Sequence, residues 1–261
     1  MNNKCHRNEC KFEKHTNINN NGGTHCCNSC KVKGHHGTFC EKKEYKFLNQ
    51  INELTNNINL LVVVLSCKKN SHLWPTILNR GIDNLVILCG GAEENKLEGS
   101  ILYLKCSDEY DGLSEKMTQA YSYIFHSEKF SLITHVLKAD DHDTEFNNDD
   151  IENITKKHGK ILLLHDFIGQ KKWNNHGRTY HFGKVPSTSK WYNKAYTGPI
   201  TPLLDGGATY ILSKKALSLI SSNNKEYDKY GMSEDFMVAM ILKKYNIKPY
   251  EFNYGIKHWR G

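Results

Sequence analysis

The run Leu132-Ile133-Thr134-His135-Val136-Leu137 is followed at once by Lys138-Ala139-Asp140-Asp141-His142-Asp143. A short, largely apolar run of this kind suits a buried strand, so a strand is predicted over residues 132–137 with carboxylates at its carboxyl end. Three like charges there repel one another, and each loses hydration if the strand ends in a cleft. A divalent cation would relieve both costs. Oxygen ligands suit Mg²⁺ or Mn²⁺, with substrate phosphates completing the shell. The alternative is a solvated acidic turn, because aspartate is frequent in turns.

From Asn59 onward the pattern is α/β. Leu60–Leu65 is a continuous apolar run, as expected of a parallel strand buried on both faces. Residues 71–80 suit a helix with Ser71 as cap and Pro75 in its first turns. Further strands are predicted at 85–89, closed by Gly90-Gly91, at 101–104, at 161–164 and at 208–212. Helices are predicted at 114–126, 214–221 and 233–245, where apolar residues recur at steps of three and four. Alternating strands and helices imply a mixed, mostly parallel sheet. Ligands of such sheets bind at the carboxyl ends of the strands, which is where the aspartates fall.

Residues 1–42 are different in kind: polar, and rich in Asn, Gly, His and Cys. Such a segment buries too little apolar surface to fold by collapse alone. Six of the nine cysteines lie there, at 5, 10, 26, 27, 30 and 40. In a reducing compartment this composition favours a structural Zn²⁺ site, with Cys5, Cys10, Cys27, Cys30, Cys40 and His36 as candidate ligands; three disulfides or a disordered segment are the alternatives. Residues 43–58 suit a short connecting helix, and 59–261 the main domain. Cys67, Cys89 and Cys106 adjoin apolar segments and are expected to be core thiols. A net charge of +7 favours anionic partners such as nucleotide-sugars or nucleic acid. No apolar run is long enough to span a membrane, and no signal-peptide core is visible. The expectation is a soluble, cytoplasmic chain.

The segment Asp108-Glu109-Tyr110-Asp111-Gly112-Leu113-Ser114-Glu115-Lys116 fits D-x-Y-x-x-L-x-x-K. After it come Lys138-Ala139-Asp140-Asp141-His142, Lys190-Trp191, Gly206-Gly207-Ala208-Thr209-Tyr210-Ile211-Leu212-Ser213, and Glu234-Asp235. In this order the segments resemble the β-1,3-galactosyltransferase and fringe-like enzymes of glycosyltransferase family 31, over residues 60–260. The Cys/His-rich head lies outside that pattern and resembles modules appended to giant-virus and algal proteins. The resemblance implies a GT-A nucleotide-sugar-binding fold, a UDP-sugar donor, a glycan or glycoprotein acceptor, Mn²⁺ or Mg²⁺ as cofactor, and inversion at the anomeric carbon.

Carried over by position, Asp140 and Asp141 fall at the family's metal-binding motif. His142 stands where the family has its third aspartate, and Asp143 follows. The metal would be held by Asp141 with Asp143 or with His142, and His258 is the candidate for the family's C-terminal histidine ligand. Lys116 would add charge to phosphate or fix the aspartate cluster, or it is a solvated helix lysine. Ser66 and Asp108 would touch the nucleotide, or are plain loop residues. Asp235, with Glu234 beside it, fits the general base that an inverting transfer needs; alternatively both acids simply favour a helix N-terminus. Gly206 and Gly207 would admit the acceptor sugar, Trp191 would stack on it, and Asp205 would bind its hydroxyls; a tight turn and a core aromatic are the plain alternatives. Two other functions remain open from the residues alone. One is a basic, zinc-containing nucleic-acid-binding module, which the dispersed lysines and clustered acids make the poorer match. The other is a catalytically inactive relative, suggested by His142.

Overall fold

Leu60–Leu65 has all six residues buried, so it can only be an inner strand with packing on both faces. The computed structural model describes residues 53–174 and 184–258. In chain order its strands begin with β1 (Leu60–Leu65), β2 (Leu85–Cys89), β3 (Lys96–Glu98), β4 (Ile101–Tyr103), β5 (His135–Asp140) and β6 (Thr144–Glu145). They continue with β7 (Phe167–Gly169), β8 (Lys172–Asn174), β9 (Pro202–Leu204), β10 (Tyr210–Ser213), β11 (Tyr250–Glu251) and β12 (Lys257–His258). The α-helices are α1 (Trp74–Leu78), α2 (Leu113–His126), α3 (Asn148–Leu164), α4 (Lys214–Ser222) and α5 (Glu234–Lys244).

Eight strands form one sheet in the order β11-β7-β10-β5-β1-β2-β4-β3. Four of its seven pairings are parallel, β1 with β2, β1 with β5, β2 with β4, and β11 with β7. β10 runs antiparallel between β5 and β7. Two ribbons, β6 with β12 and β8 with β9, flank this sheet. The chain therefore has the mixed α/β architecture of a GT-A-like fold.

Period-two alternation gives each face of β1 its own core. Leu61, Val63 and Leu65 pack with α2, α4 and α5 through Met117, Tyr121, Ile220 and Met237. Leu60, Val62 and Val64 pack with α1 and α3 through Trp74, Ile77, Ile151 and Leu162. Helix α5 is buried nearly all round, as its apolar run Phe236–Leu242 requires.

Several expectations change. The strand predicted over 132–137 lies at His135–Asp140 instead. Pairing with β1, Leu60 opposite His135 and Leu65 opposite Asp140, sets that register and leaves Leu132 80% exposed. The strand carries Lys138 and Asp140 inside it, not beyond its end. The strand predicted over 161–164 is the last turn of α3. A capping box at Asn147 and Asp150 starts that helix, and Ile151, Ile154 and Leu162 form its buried side. The helix predicted over 71–80 divides into a 3₁₀ segment, Lys68–Leu73, and the short α1. Cys89 is buried as expected, but Cys67 and Cys106 are only half-buried. The module expected over residues 1–42, with Cys5, Cys10, Cys27, Cys30, Cys40 and His36, lies outside the described residues, as does most of the connecting helix; one helical turn is described at 53–56. No helix among the described residues is long and apolar enough to cross a membrane.

Asn147→Ala removes the side-chain acceptor of the capping box on α3. It should cost ~1 kcal/mol of stability, read as a lower urea midpoint at unchanged slope.

Candidate active site

The carboxyl ends of β1, β2 and β5 lie side by side, and a buried ion pair fastens the first two. Lys116, 1% exposed, projects from α2 and donates to Asp108 Oδ1 at 2.6 Å and to the Ser66 carbonyl at 3.0 Å. The Asp108 carboxylate also accepts from the amides of Gly90 and Lys68, both at 2.7 Å. A methyl group at Gly90 would meet the Ser107 carbonyl at 2.7 Å, so glycine is required where these loops cross. Lys116 is thus no solvated helix lysine. Asp108 and Lys116 join the end of β1, the end of β2 and the start of α2. Ser66 extends the link: its hydroxyl accepts from Trp74 Nε1 at 2.8 Å and donates to Asp141 Oδ2 at 2.7 Å. Asn70 Nδ2 donates to the same oxygen at 2.9 Å.

The acidic cluster has two sides. On one, His142 Nδ1 lies 2.5 Å from Asp141 Oδ1 and its Nε2 3.5 Å from Asp143 Oδ1. Both aspartates are buried, while the imidazole between them is half-exposed. On the other side stands Lys138, fully buried in the middle of β5. Its ammonium meets Asp140 Oδ1 at 2.5 Å, Glu234 Oε1 at 2.9 Å and the Gly206 carbonyl at 2.9 Å. Burial opposes its charge, but Asp140 and Glu234 outweigh that and hold its pKa above the ordinary lysine value. Burial would likewise raise Glu234, yet Lys138 brings it below the usual carboxylate range. Asp140 is pushed up, by burial first and then by the charge on Glu234, against the pull of Lys138. One cation thus faces two carboxylates, that of Glu234 buried and that of Asp140 partly exposed.

The turn between β9 and β10 closes over this cluster. Asp205 Oδ1 accepts from the Gly207 amide at 3.0 Å, an Asx turn. A side chain at Gly206 would overlap Glu234 Oε1. Asp235, at the start of α5 and 6% exposed, accepts from the Phe236 amide at 2.7 Å and, through Oδ2, from the Gly206 amide at 3.4 Å. Gln170 Nε2 donates to the carbonyls of Ala208 and Ile256, at 3.1 and 2.8 Å. It ties the turn to the segment that leads into β12. There β12 pairs with β6, setting His258 opposite Thr144, just past the aspartates. A methyl group at Gly207 would lie 3.4 Å from His258 Nε2 and 3.8 Å from Asp140 Oδ2. His258 Nε2 is buried with no hydrogen-bond partner among the described residues.

Most of the residues singled out in the sequence therefore converge. Asp140, Asp205 and His258 come together around Gly207, and Glu234 and Asp235 pack against the adjoining Gly206. Ser66, Asp141, Asp143 and His142 border this group, and Asp108 and Lys116 brace it from behind. Trp191 packs instead in a small separate cluster with Val185 and Met232, with the Lys190 ammonium 5.1 Å from its ring centre. Lys138, Asn70, Trp74 and Gln170 were missed as site residues. Lys138 was legible as the Lys of K-x-D-D-D; the other three carry no motif. Among the described residues, no three His, Cys, Asp or Glu side chains stand together closely enough to cage a metal by themselves.

These side chains gather at the strand ends of a GT-A-like sheet, where ligands of such sheets bind. Residues 89–253 match the family model of the galactosyltransferases, and the chain belongs to that family; it is a glycosyltransferase. The matched span holds every site residue named above except Ser66, Asn70, Trp74 and His258. No curated protein sequence matches the chain. Among solved structures, 4-diphosphocytidyl-2C-methyl-D-erythritol synthase from Anaerococcus prevotii DSM 20548 is similar at a TM-score of 0.38 and 10% identity, over 78% of this chain and 93% of that one.

Lys116→Met should destabilise the domain by about 3 kcal/mol, because it leaves the Asp108 carboxylate without its cation. Thermal unfolding and urea titration would both register the loss.

Proposed function

We propose that the protein transfers a hexose from a UDP-sugar to a hydroxyl of a glycan or protein-linked sugar, with inversion and with the help of Mn²⁺ or Mg²⁺. The observation that carries this proposal is the space over Gly207, which brings together Asp140 Oδ2 and the Nε2 of His258, a nitrogen with no hydrogen-bond partner among the described residues.

That pair fits a divalent cation: a carboxylate oxygen and an imidazole nitrogen suit Mn²⁺, and two protein ligands leave room for donor phosphates. Asp140 and His258 would hold the ion, with the half-exposed His142 at the rim. Asp141, the ligand expected from the sequence, is poorly placed for this, since its oxygens already accept from Ser66 and Asn70 and contact His142. Asp143 stands behind His142. When bound, the ion would neutralise the donor diphosphate and its developing charge as the glycosidic bond breaks.

The remaining steps fall to the chain itself. An inverting transfer needs a base on the face opposite the leaving group. Glu234 is committed to Lys138 and stays ionised in that pair. Asp235 stands beside the glycine turn, its Oδ2 3.4 Å from the Gly206 amide, and that closeness to the proposed acceptor approach supports it as the base. The acceptor hydroxyl would give its proton to Asp235 as its oxygen attacks the anomeric carbon, and the electron pair of the broken bond would leave with the diphosphate. Gly206 and Gly207 let the acceptor approach the backbone, and Asp205 borders the same turn.

Two measurements test this. Released UDP and transferred sugar should appear when the protein is given UDP-sugars, an acceptor glycan and Mn²⁺. Asp235→Asn should lower transfer by ~10²–10⁴-fold, the usual share of a general base, with donor affinity unchanged; transfer at the wild-type rate would remove Asp235 from the role. Independently of turnover, His258→Ala should weaken Mn²⁺ binding in calorimetry, whereas equal affinity in both proteins would place the ion elsewhere.

A further inference from the structure

Lys138 carries a role beyond balancing charge. It is fully buried, and its ammonium has three N–H groups for three acceptors on three separate segments: Asp140 on its own strand, the Gly206 carbonyl of the glycine turn, and Glu234 at the start of α5. A lysine ammonium with all three donors used cannot rotate without breaking a bond. The stem is fixed too. Lys138 stands opposite Tyr210 in the β5–β10 ladder, and its ammonium lies 5.9 Å from the Tyr210 ring centre. The Tyr210 hydroxyl is tied to that of Tyr121 at 2.8 Å.

The three acceptors divide by function. Asp140 borders the donor side, facing His258 across Gly207. Gly206 and Glu234 belong to the acceptor side: Gly206 contacts Asp235 through its amide, and Glu234 is the neighbour of Asp235 in the chain. Apart from Lys138, Asp140 and Glu234 would repel each other in a buried setting. Resting on the transferase chemistry proposed above, we infer that Lys138 is a positioning residue that holds the donor-side carboxylate, the glycine turn and the base-bearing helix start in one fixed register, so that the activated sugar meets an acceptor hydroxyl and not water.

A misplaced register would affect the two acceptors differently. Water is small and needs no fixed turn, whereas a sugar hydroxyl must be aligned with both the anomeric carbon and Asp235. Misplacement by about 1 Å can cost ~10²-fold in such a step.

The experiment compares wild type, Lys138→Met and Lys138→Arg, using the full chain with UDP-galactose and Mn²⁺. UDP release is measured with and without an acceptor glycan, and crystal structures of the variants are determined in parallel. Lys138→Met should lose transfer by ~10²-fold more than it loses donor hydrolysis, uncoupling the two, with Glu234 and Gly206 displaced from Asp140 in its structure. Lys138→Arg, which keeps the charge but not the tripod of donors, should fold and show the same uncoupling. Parallel loss of both activities in step with the folded fraction would make Lys138 a purely structural ion, and overturns the inference. So does wild-type coupling in Lys138→Arg. A wild type inert toward UDP-galactose would count against the donor proposed above and not against Lys138. The crystal structures then decide: unmoved Glu234 and Gly206 refute the register role, and their displacement supports it. If Lys138→Met does not fold, Lys138→Arg carries both readouts.

Discussion

A single buried ammonium organises the strand ends of this domain. Burying a lysine or a carboxylate alone costs several kcal/mol, and here Lys138 and Glu234 are withdrawn from water together, with the partly exposed Asp140 as the second acid on the same ammonium. The arrangement holds only while each stays with its partners, which fixes how β5, the turn at Gly206 and the start of α5 can meet. It also leaves the cluster one positive charge short. In the metal-assisted transfer proposed above, a cation beside Asp140 would make up that shortfall. Nearby, Asp141 and Asp143 are buried around a histidine that reaches solvent. Among the described residues, these buried acids and Lys138 thus gather at the carboxyl end of β5, in the middle of the sheet.

The strand ends are reinforced by a second ion pair of opposite character. Asp108 and Lys116 also involve a fully buried lysine, but their contacts are to backbone, to each other and to the Cys89 thiol. Their charges cancel one for one. Nothing in that pair calls for a ligand, and its position behind the strand ends suits a brace. Two lysines with near-identical burial therefore have different meanings, and the difference lies in the count of acids each one faces.

How much of this the sequence disclosed follows from whether each feature is local. β1 and β2 were legible because a strand buried on both faces reads as an unbroken apolar run. The helices α2, α4 and α5 were legible from three- and four-residue steps and their start signals. The helix α3 was misread at its end: Ile161-Leu162-Leu163-Leu164 looks like a strand, while the capping box that announces a helix lies more than ten residues upstream. The register of β5 is set by β1, a tertiary choice that no property of residues 132–140 could supply. Edge strands of two or three residues carry too little pattern to be seen. In the site, the acids, the paired glycines and Glu234-Asp235 were visible as chemistry, but their partners were not. Lys138 bonds residues 68 and 96 positions away, and Gln170 and Asn70 are amides with no motif around them. The departure at His142 was visible, while its engagement by both neighbouring aspartates was not.

The turn that completes the site is held in a conformation its residues do not prefer. Thr209 is β-branched and fully buried, yet its φ is +82°, a region that costs of order 1–3 kcal/mol for such a residue. The strain persists because the surroundings fix it on every side. The Thr209 hydroxyl pairs with Tyr254 at 2.7 Å, Gln170 holds the Ala208 carbonyl, Asp205 caps Gly207, and Lys138 fixes the Gly206 carbonyl. The backbone strain is therefore stored in the turn that carries Gly206 and Gly207, beside Asp140, His258 and Asp235, next to β10 and α5, both almost wholly buried.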